Sequence, residues 1–414
     1  MSLLAANAYD YALTITSQFY FCGLPVRLDP YSRCLFNCTY CFANARGGAR
    51  GSRKITSVDP AGLARRLDRI EKGVPASALD EFLAHRQPIH LGGMSDPFPS
   101  VERESKITLR VLEVLARHKY PTVISTKSDL FAQEEYLGVL QTGSFAIQAS
   151  VSTLDDRLAA RTDLGTPGPT KLLSALANAI DAGIPGSLRL QPLLPTRQAD
   201  AADVIDAGAD VGVRHVAVEH LKLPVEKTWW GTETLSDALG VNLPKYYACR
   251  LAKRIGREWV LPVEERLDTV LQLRHRAHGR GMSFGAADND LLLLSDGGCC
   301  CSGVDDLPGF ERYFRCNYTE AVRRGLSQGT IQASSLNAAW APTGSVRRFV
   351  NSRSRSGAAS VREYVLRNWN GSPNGSSPAL FYGVRPVEAF DDQGYRVYSV
   401  TDELLEFLRV RDIR

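Results

Sequence analysis

The sequence predicts an α/β fold in which a partial (β/α)6 barrel is followed by a smaller, loop-rich C-terminal region. Two observations predict this architecture: short apolar runs alternate with longer amphipathic stretches over residues 26–261, and the alternation weakens after Trp229. Such alternation is typical of parallel strands joined by helices. A doubly wound open sheet would produce almost the same pattern, so the sequence leaves both arrangements open.

Six strand and helix units make up the predicted barrel. The predicted strands are Val26–Leu28, Ile89–Gly92, Thr122–Ser125, Phe145–Val151, Ser187–Pro192 and Val213–Val218. The predicted helices are Pro60–Glu71, Arg103–His118, Gln133–Leu140, Thr170–Ala182 and Ala199–Ala207.

We expect three parts along the chain: an N-terminal extension over residues 1–25, the barrel over 26–261 and a C-terminal region over 262–414. In the last part the pattern predicts a helix at Pro262–Gly279, one strand within Ser283–Leu294, a helix at Phe310–Gly325, and loops around Ser352–Ser360 and Gly371–Ser377.

The amino-acid composition excludes a disordered chain, and the sequence contains no segment typical of a membrane-spanning helix. The 414 residues are 44% hydrophobic and 23% charged, which excludes disorder of the whole chain. The formal net charge of +4 neither requires nor forbids an anionic partner. No run approaches the about 20 apolar residues that span a membrane, and residues 1–15 lack the features of a secretory signal. We therefore expect a cytoplasmic protein with no membrane contact.

Three cysteines, Cys34, Cys38 and Cys41, follow the first predicted strand. A cytoplasmic chain keeps its thiols reduced, which favours metal ligands or catalytic thiols over disulfides. Thiolates at this spacing can hold an Fe–S cluster, and three ligands leave one iron of a [4Fe–4S] cluster open. Zinc is the alternative, but it prefers four ligands, and no second Cys/His pair follows at finger-like spacing.

The spacing Cys-x3-Cys-x2-Cys, with the aromatic Tyr40 before the last cysteine, resembles the radical S-adenosylmethionine (SAM) superfamily. The resemblance implies that SAM chelates the open iron and that an external donor of the flavodoxin or ferredoxin type delivers an electron. SAM is then split to a 5′-deoxyadenosyl radical, which removes hydrogen from a substrate.

Four later segments resemble the spore photoproduct lyase branch of that superfamily: Gly93–Pro97, Ile124–Ser128, Ala149–Ser152 and Leu188–Pro192. By this resemblance the SAM-binding residues are Tyr40, Ser95, Asp96, Lys127, Ser150 and Arg189. Two alternatives stay open, because Lys127 could be an exposed surface lysine and Asp96 could cap the turn that follows it.

The chain departs from that branch at two positions. Gly93-Met94 stands where the lyase has a hydrogen-donating cysteine, and Phe42 stands where it has a tyrosine. We therefore expect the same cofactor and fold with a different substrate or a different final step.

A second cysteine group lies near the C-terminal region, at Cys299, Cys300, Cys301 and Cys316. In an extended strand Cys299 and Cys301 point the same way, so these two and Cys316 could ligate an auxiliary cluster. Alternatively one of Cys299, Cys300 and Cys301 is a radical-relay thiol, or all four are buried or incidental thiols.

Three functions follow from these observations. The first is a radical SAM enzyme acting on a small-molecule, nucleoside-like or peptide substrate. The second is a nucleic-acid repair or modification enzyme, favoured by the basic run Arg347–Arg355. The third is a non-enzymatic Fe–S redox protein.

Overall fold

The computed structural model describes residues 4–45, 54–225, 230–297, 301–306, 310, 317–336, 342, 344–350, 360–371, 377–411 and 413. The strands are β1 (Leu4–Ala8), β2 (Leu13–Ile15), β3 (Val26–Leu28), β4 (Asn37–Cys38), β5 (Ile55–Ser57), β6 (Ile89–Leu91), β7 (Thr122–Thr126), β8 (Phe145–Ser150), β9 (Asp163–Leu164), β10 (Gly186–Leu193), β11 (His215–His220), β12 (Leu223–Pro224), β13 (Lys253–Ile255), β14 (Glu258–Val260), β15 (Ser283–Ala286), β16 (Thr330–Ile331), β17 (Arg385–Phe390) and β18 (Arg396–Ser399).

The α-helices are α1 (Phe42–Ala45), α2 (Pro60–Glu71), α3 (Ala78–Ala84), α4 (Glu102–Ser105), α5 (Ile107–Arg117), α6 (Glu134–Thr142), α7 (Asp156–Thr162), α8 (Pro169–Asp181), α9 (Gln198–Asp210), α10 (Trp230–Leu239), α11 (Leu243–Cys249), α12 (Val263–Gly279), α13 (Tyr318–Leu326), α14 (Val361–Trp369), α15 (Pro378–Tyr382) and α16 (Asp402–Val410).

Strand order separates the two arrangements that the sequence leaves open. The largest sheet among the described residues has the order β15-β11-β10-β8-β7-β6-β3-β2. The six predicted strands are neighbours in chain order, and β7, β8, β10 and β11 pair in parallel. A doubly wound sheet has a switch point at which that order reverses. The unbroken order is that of a barrel wall, and because its first and last strands, β15 and β2, do not pair with each other, the barrel is partial.

Side-chain alternation decides which face of the sheet meets the helices. A Cβ atom added at Gly208 of α9 would lie 2.2 Å from Leu188 Cδ1, and one added at Gly186 would meet Ile180 of α8. Gly186 and Leu188 of β10 therefore face the helices. Because neighbouring residues of a strand point to opposite faces, Ser187 and Arg189 lie on the other, inner face of the partial barrel.

The helix predicted at Arg103–His118 is wrong as one continuous element. The backbone of Lys106 has φ 51°, a left-handed conformation that interrupts the chain between α4 and α5. The carboxylate of Glu102 accepts hydrogen bonds from the N–H groups of Thr108 and Leu109, which lie in the first turn of α5. Glu102 thus caps the second helix from outside it.

Of two C-terminal predictions, the strand is confirmed and the helix needs correction. The strand predicted within Ser283–Leu294 ends at Ala286, and Leu292–Leu294 is a 3-10 helix. The helix predicted from Phe310 begins at Tyr318, because Asn317 caps it by accepting a hydrogen bond from the Glu320 N–H. Residues 311–316 lie outside the described residues.

The chain forms two compact units. The first contains residues 1–12, 28–64 and 90–284, and the second contains residues 13–27, 65–89 and 285–414. Inside the second unit, Tyr20 stacks on Tyr318 with ring centroids 5.0 Å apart, and Tyr318 meets the edge of Trp369 at 5.1 Å. These aromatic contacts form part of its core. No helix among the described residues has the length and apolar character needed to cross a membrane.

The first unit contains an insertion that the sequence pattern does not predict. After β11 the chain forms β12, α10, α11 and the antiparallel pair β13 and β14, with the sheet order β12-β14-β13. These elements share a hydrophobic cluster, here called the insertion core, whose buried members are Leu158, Leu194, Leu221, Leu223, Leu235, Leu243, Tyr247 and Leu261. Tyr40 of the cysteine loop also packs against the insertion core.

Candidate functional site

The cysteine loop runs from the end of β3 to α1 at one end of the sheet. Cys34, Cys38 and Cys41 are all free thiols. Cys38 lies in β4, which pairs with β9 so that Cys38 is opposite Asp163. The N–H of Cys41 donates to the carbonyl of Cys38 at 3.1 Å. A short antiparallel bridge and a tight turn therefore fix the loop that carries the thiols.

Electrostatic coupling shows that the three thiols are near neighbours. Burial raises the pKa of Cys34 to about 12, with smaller contributions from Asp96 and Cys41. Burial and then Asp163 raise the pKa of Cys38 well above its usual value, and Cys34 and Cys41 raise it further. The thiols of Cys34 and Cys38 thus favour their neutral form, and binding of iron would release their protons.

The donor set fits an Fe–S cluster. Among the described residues, no three His, Cys, Asp or Glu side chains converge on one point where a single ion would be held. A [4Fe–4S] cluster requires something different, because each thiolate binds a different iron at a corner of the cluster. Three neighbouring reduced thiols on one loop meet that requirement and leave one iron without a protein ligand.

Lys127 follows β7 and lies beside the cysteine loop. Its Nζ is 2.8 Å from Asp163 Oδ1, donates to the carbonyl of Ser150 at 3.0 Å, and lies 5.5 Å from the centre of the Tyr40 ring. Burial disfavours its charge, but Asp163 together with Cys38 and Asp96 outweighs burial, so the pKa of Lys127 is raised. Lys127 is therefore a held, charged side chain, and its interpretation as an exposed surface lysine is wrong.

Asp163 connects this lysine to the tyrosine of the cysteine loop. The hydroxyl of Tyr40 donates to Asp163 Oδ1 and lies 3.2 Å from Ser152 Oγ. The other carboxylate oxygen of Asp163 accepts from the Thr162 hydroxyl at 2.9 Å. The carboxylate of Asp163 thus contacts both Lys127 and Tyr40, and Asp163 itself lies in the strand opposite Cys38.

Asp96 lies half-buried at the end of the turn that follows β6. Its carboxylate accepts hydrogen bonds from the N–H of Lys127 at 2.7 Å, the N–H of Phe98 at 2.9 Å and the hydroxyl of Thr126 at 2.9 Å. Burial raises the pKa of Asp96 to about 6, against the opposing effect of these hydrogen bonds. These are the contacts of a turn cap, and they attach the turn to the end of β7.

Ser95 is buried, and its hydroxyl donates to the carbonyl of Tyr31 at 2.6 Å. The carboxylate of Asp29 accepts from the N–H groups of Met94 and Ser95 at 2.8 and 3.2 Å. Asp29 therefore shapes this turn through the backbone. The sequence offers no motif for that role, because an aspartate after a strand is common.

Ser150 and Arg189 are paired residues of β8 and β10. Arg189 donates through Nε to the side chain of Gln191 and through Nη1 to Ser125 Oγ at 3.4 Å. Ser150 offers its backbone carbonyl to Lys127. The predicted SAM-binding residues on β7, β8 and β10 therefore lie on adjacent strands at one end of the sheet.

The inner face of the partial barrel carries a row of buried polar side chains. Ser125 pairs with Gln148, Gln148 with Ser187, and Ser187 with His215 across four neighbouring strands. Ser125 Oγ lies 2.7 Å from His90 Nε2 and donates to Gln148 Oε1 at 3.1 Å. Barrel interiors are usually filled by branched apolar residues, so this polar lining is unusual.

One atom of this polar row lacks a partner. Gln148 is 2% exposed, and its Nε2 makes no hydrogen bond within the described part of the chain. An unpaired buried amide donor costs about 1–3 kcal/mol. The guanidinium of Arg189 lies on the same face. The inner face thus holds one buried amide donor that the described part of the fold leaves unpaired.

Three of the four cysteines in the second group lie outside the described residues, namely Cys299, Cys300 and Cys316. Cys301 is described and half-buried, and its carbonyl lies against Gly285, where an added Cβ atom would come within 1.9 Å. In the basic run, Arg347 and Arg348 are exposed, and residues 351–359 are outside the described residues.

A comparison with known protein families matches the part of the chain that contains the cysteine loop. Residues 28–207 match the family model described as the Radical SAM superfamily. This segment contains all three loop cysteines and the residues predicted to bind SAM. No curated protein sequence matches the chain.

Several solved structures are similar to the chain at low identity. A spore photoproduct lyase variant with bound AdoMet and dinucleoside spore photoproduct is 13% identical, with a TM-score of 0.46, over 62% of this chain and 73% of that one. Spore photoproduct lyase complexed with the dinucleoside is 14% identical, with a TM-score of 0.44, over 60% and 71%. SuiB of Streptococcus suis bound to S-adenosylmethionine is 15% identical, with a TM-score of 0.38, over 55% and 49%.

Proposed function

We propose that residues 28–207, which match the Radical SAM superfamily model, form a radical SAM domain, and that the chain reductively cleaves SAM and abstracts hydrogen from a small polar substrate. The observation that carries the proposal is the loop of three reduced, mutually coupled thiols at Cys34, Cys38 and Cys41. When bound, the [4Fe–4S] cluster and SAM supply the electron and the 5′-deoxyadenosyl radical. We further propose a cytoplasmic location, because these thiols require a reducing compartment.

In this proposal the protein contributes orientation and charge. The ammonium of Lys127 is fixed by Asp163 and by the Ser150 carbonyl, which suits it to pair with the carboxylate of SAM. Asp96 fixes the backbone of Lys127 through its N–H. Ser95 lies in the turn after β6, and Ser150 lies at the end of β8. The ring of Tyr40 packs against the ammonium of Lys127. Because these groups are already held in place, binding of SAM would cost little conformational entropy.

The inner polar row supports a substrate that carries hydrogen-bond acceptors. Gln148 Nε2 and the guanidinium of Arg189 are donors, and His90 and Ser125 extend the row toward β6. A carbonyl, hydroxyl or phosphate oxygen would satisfy the unpartnered amide. Polar small molecules, nucleosides and peptides all have such oxygens, whereas a hydrocarbon chain would leave the donors unpaired.

The proposal is tested with the full chain, reconstituted anaerobically with iron and sulfide and mixed with SAM and dithionite. We expect 5′-deoxyadenosine to be released. Replacement of Cys34, Cys38 or Cys41 by Ala should abolish both the cluster absorbance and the release. Cys249→Ala is the matched control, because Cys249 is exposed and far from the loop in sequence, and this variant should behave as wild type. Release that persists in the three loop variants would refute the cluster assignment.

We propose an auxiliary cluster at Cys299, Cys301 and Cys316 as a separate hypothesis, supported by their sequence spacing alone. Iron analysis distinguishes the outcomes, because one four-iron cluster gives about four irons per chain and two give about eight. A triple Cys-to-Ala variant at these positions should lower the content to about four. If the wild-type chain already contains about four irons, the second cluster does not exist.

A further inference from the structure

One exposed segment of the first unit carries an excess of positive charge. Residues 245–259, here called the basic hairpin segment, hold five basic residues and one acidic residue, an excess of four. The segment comprises the end of α11, the strands β13 and β14, and their turns. A local excess of this kind produces a positive potential that attracts acidic molecules.

The basic side chains of the hairpin are available to a partner. All three residues of β13 are exposed. Lys253, Arg254 and Arg257 form no ion pair among the described residues, and Arg254 donates only to the nearby Gly256 carbonyl. Arg250 is different, because it pairs with Glu265 at 3.1 Å. Three uncompensated cations therefore lie within five residues.

Apolar side chains lie between these charges. Leu251 is 79% exposed, Ile255 is 59% exposed and Trp259 is 38% exposed. In the sheet order β12-β14-β13, β13 is an edge strand, so one side of it has no strand partner in that sheet. The basic side chains protect this short edge from pairing with another strand, whereas the exposed apolar side chains beside them are of the kind that mark a contact with another protein.

The hairpin is connected to the cysteine loop through a single group of packed side chains. Ala252, which lies between Leu251 and Lys253, packs against the insertion core, and so does Tyr246. Tyr40, between two of the loop cysteines, packs against the same core. The insertion core thus packs against both the hairpin and the cysteine loop.

We propose that the basic hairpin segment is the docking surface for an acidic one-electron donor protein of the flavodoxin type. The inference rests on the proposed function, which requires one electron from outside for each cleavage of SAM. In the transfer the donor loses one electron, the cluster gains it, and no bond forms or breaks at the interface. Complementary charge would steer the encounter, and the apolar residues would stabilise a small, transient contact.

The observations favour a protein over a nucleic acid. Single-stranded nucleic acids bind where basic residues surround several exposed aromatic rings on which bases stack. Here the most exposed large side chains are the aliphatic Leu251 and Ile255, and the ring of Tyr246 is already covered by the Arg250 guanidinium at 3.7 Å. Protein partners also use the backbone groups of an edge strand.

The test compares two triple charge reversals in the reconstituted full chain. The first variant combines Lys253→Glu, Arg254→Glu and Arg257→Glu. The control combines Arg103→Glu, Arg110→Glu and Arg117→Glu, which make the same change of charge at exposed positions of α4 and α5. Circular dichroism and cluster absorbance establish that both variants are folded and loaded.

Three measurements are made on each protein: binding of oxidised flavodoxin by calorimetry, binding of a single-stranded oligonucleotide by the same method, and release of 5′-deoxyadenosine with either reduced flavodoxin or dithionite. We expect the hairpin variant to lose at least about tenfold in flavodoxin binding and in the flavodoxin-supported rate, while its dithionite-supported rate is unchanged. Added salt should weaken flavodoxin binding to wild type and have little effect on the hairpin variant. The control variant should follow wild type.

Equal flavodoxin binding by wild type and the hairpin variant would overturn the proposal. So would retained flavodoxin activity together with lost binding of a single-stranded oligonucleotide, which would assign the surface to nucleic acid. Absence of 5′-deoxyadenosine from wild type with dithionite would refute the proposed function instead. The calorimetric comparison would then still decide whether the hairpin binds the donor.

Discussion

Asp163 and Lys127 form an ion pair in which Oδ1 and Nζ are 2.8 Å apart, and their side chains are only 7% and 14% exposed. The same carboxylate accepts from Tyr40 and lies on the strand opposite Cys38. A single buried interaction therefore links the end of β7 to the loop that carries the thiols.

We predict that Asp163→Asn lowers the free energy of unfolding by about 3 kcal/mol, because it removes the carboxylate that is paired with the largely buried ammonium of Lys127. Urea denaturation of the metal-free chain measures this loss. The exposed pair of Arg409 and Glu406, whose side chains are 73% and 57% exposed, is the control. Glu406→Gln should cost less than about 1 kcal/mol.

The double variant Lys127→Met with Asp163→Asn separates charge from geometry. Removing both charges should recover part of the loss, because no unpaired ion is then buried. A double variant less stable than Asp163→Asn alone would contradict this account.

Glu102 provides a second buried carboxylate with a structural role. It is fully buried and accepts hydrogen bonds from the hydroxyls of Tyr31 and Tyr136 in addition to the two N–H groups of α5. We predict that Glu102→Gln costs about 2–3 kcal/mol, because the new amide group presents donors to groups that are themselves donors. Thermal denaturation with and without Tyr136→Phe checks this.

Tyr136→Phe alone removes one donor and should cost only about 1 kcal/mol. In the Glu102→Gln background the same change should cost less, since the hydroxyl has already lost its acceptor. Additive costs for the two changes would show that Tyr136 and Glu102 do not act together.

The free energy of unfolding of the second unit should depend on pH because of Asp80. Burial favours its neutral form, but the N–H of Ala76 and the guanidinium groups of Arg69 and Arg66 outweigh burial and lower the pKa of Asp80. A carboxylate with a lowered pKa in the folded state stabilises the fold above its unfolded pKa of about 4, and this contribution is lost as pH falls through the lower folded value.

We therefore predict that Asp80→Asn reduces the free energy of unfolding at pH 7 by about 2 kcal/mol and has a smaller effect near pH 3. Denaturant titrations at both pH values measure it. Asp206→Asn is the comparison, because Asp206 also has a lowered pKa but lies at the surface beside Arg276. An Asp80→Asn cost that does not depend on pH would contradict the predicted linkage.

Local sequence signals predicted the barrel well. Strand β3 and helix α2 have the predicted bounds, because apolar runs and helical periodicity depend only on neighbouring residues. The cysteine triplet could be recognised for the same reason, since its spacing is local. The strand order removed the doubly wound alternative, which no local pattern can do.

Contacts between distant segments could not be predicted in this way. Asp163 reaches Cys38 through a bridge of two residues per strand, too short to leave a periodic signal. The hairpin of β13 and β14 is mostly exposed, so it lacks the alternation that marks a half-buried strand. The interruption at Lys106 depends on the buried carboxylate of Glu102, which a helical pattern does not reveal.

The role of Gln148 could not be predicted from the sequence either. Its position within the apolar run of β8 indicates only a buried strand, and the polar row becomes visible only through its contacts. We predict that Gln148→Met leaves the free energy of unfolding unchanged or raises it by about 1 kcal/mol. Methionine removes the unpartnered buried Nε2, while the hydroxyl of Ser125 keeps its contact with His90.

Leu188→Ala, on the face of β10 that meets the helices, is the contrasting variant and should cost about 3 kcal/mol through the cavity it creates. Release of 5′-deoxyadenosine without substrate should be the same for Gln148→Met and wild type, because Lys127 and the cysteine loop are unchanged. A loss of stability above about 2 kcal/mol in Gln148→Met would mean that the amide is satisfied by the fold itself. The inner polar row would then be structural, and the argument for a polar substrate would fail with it.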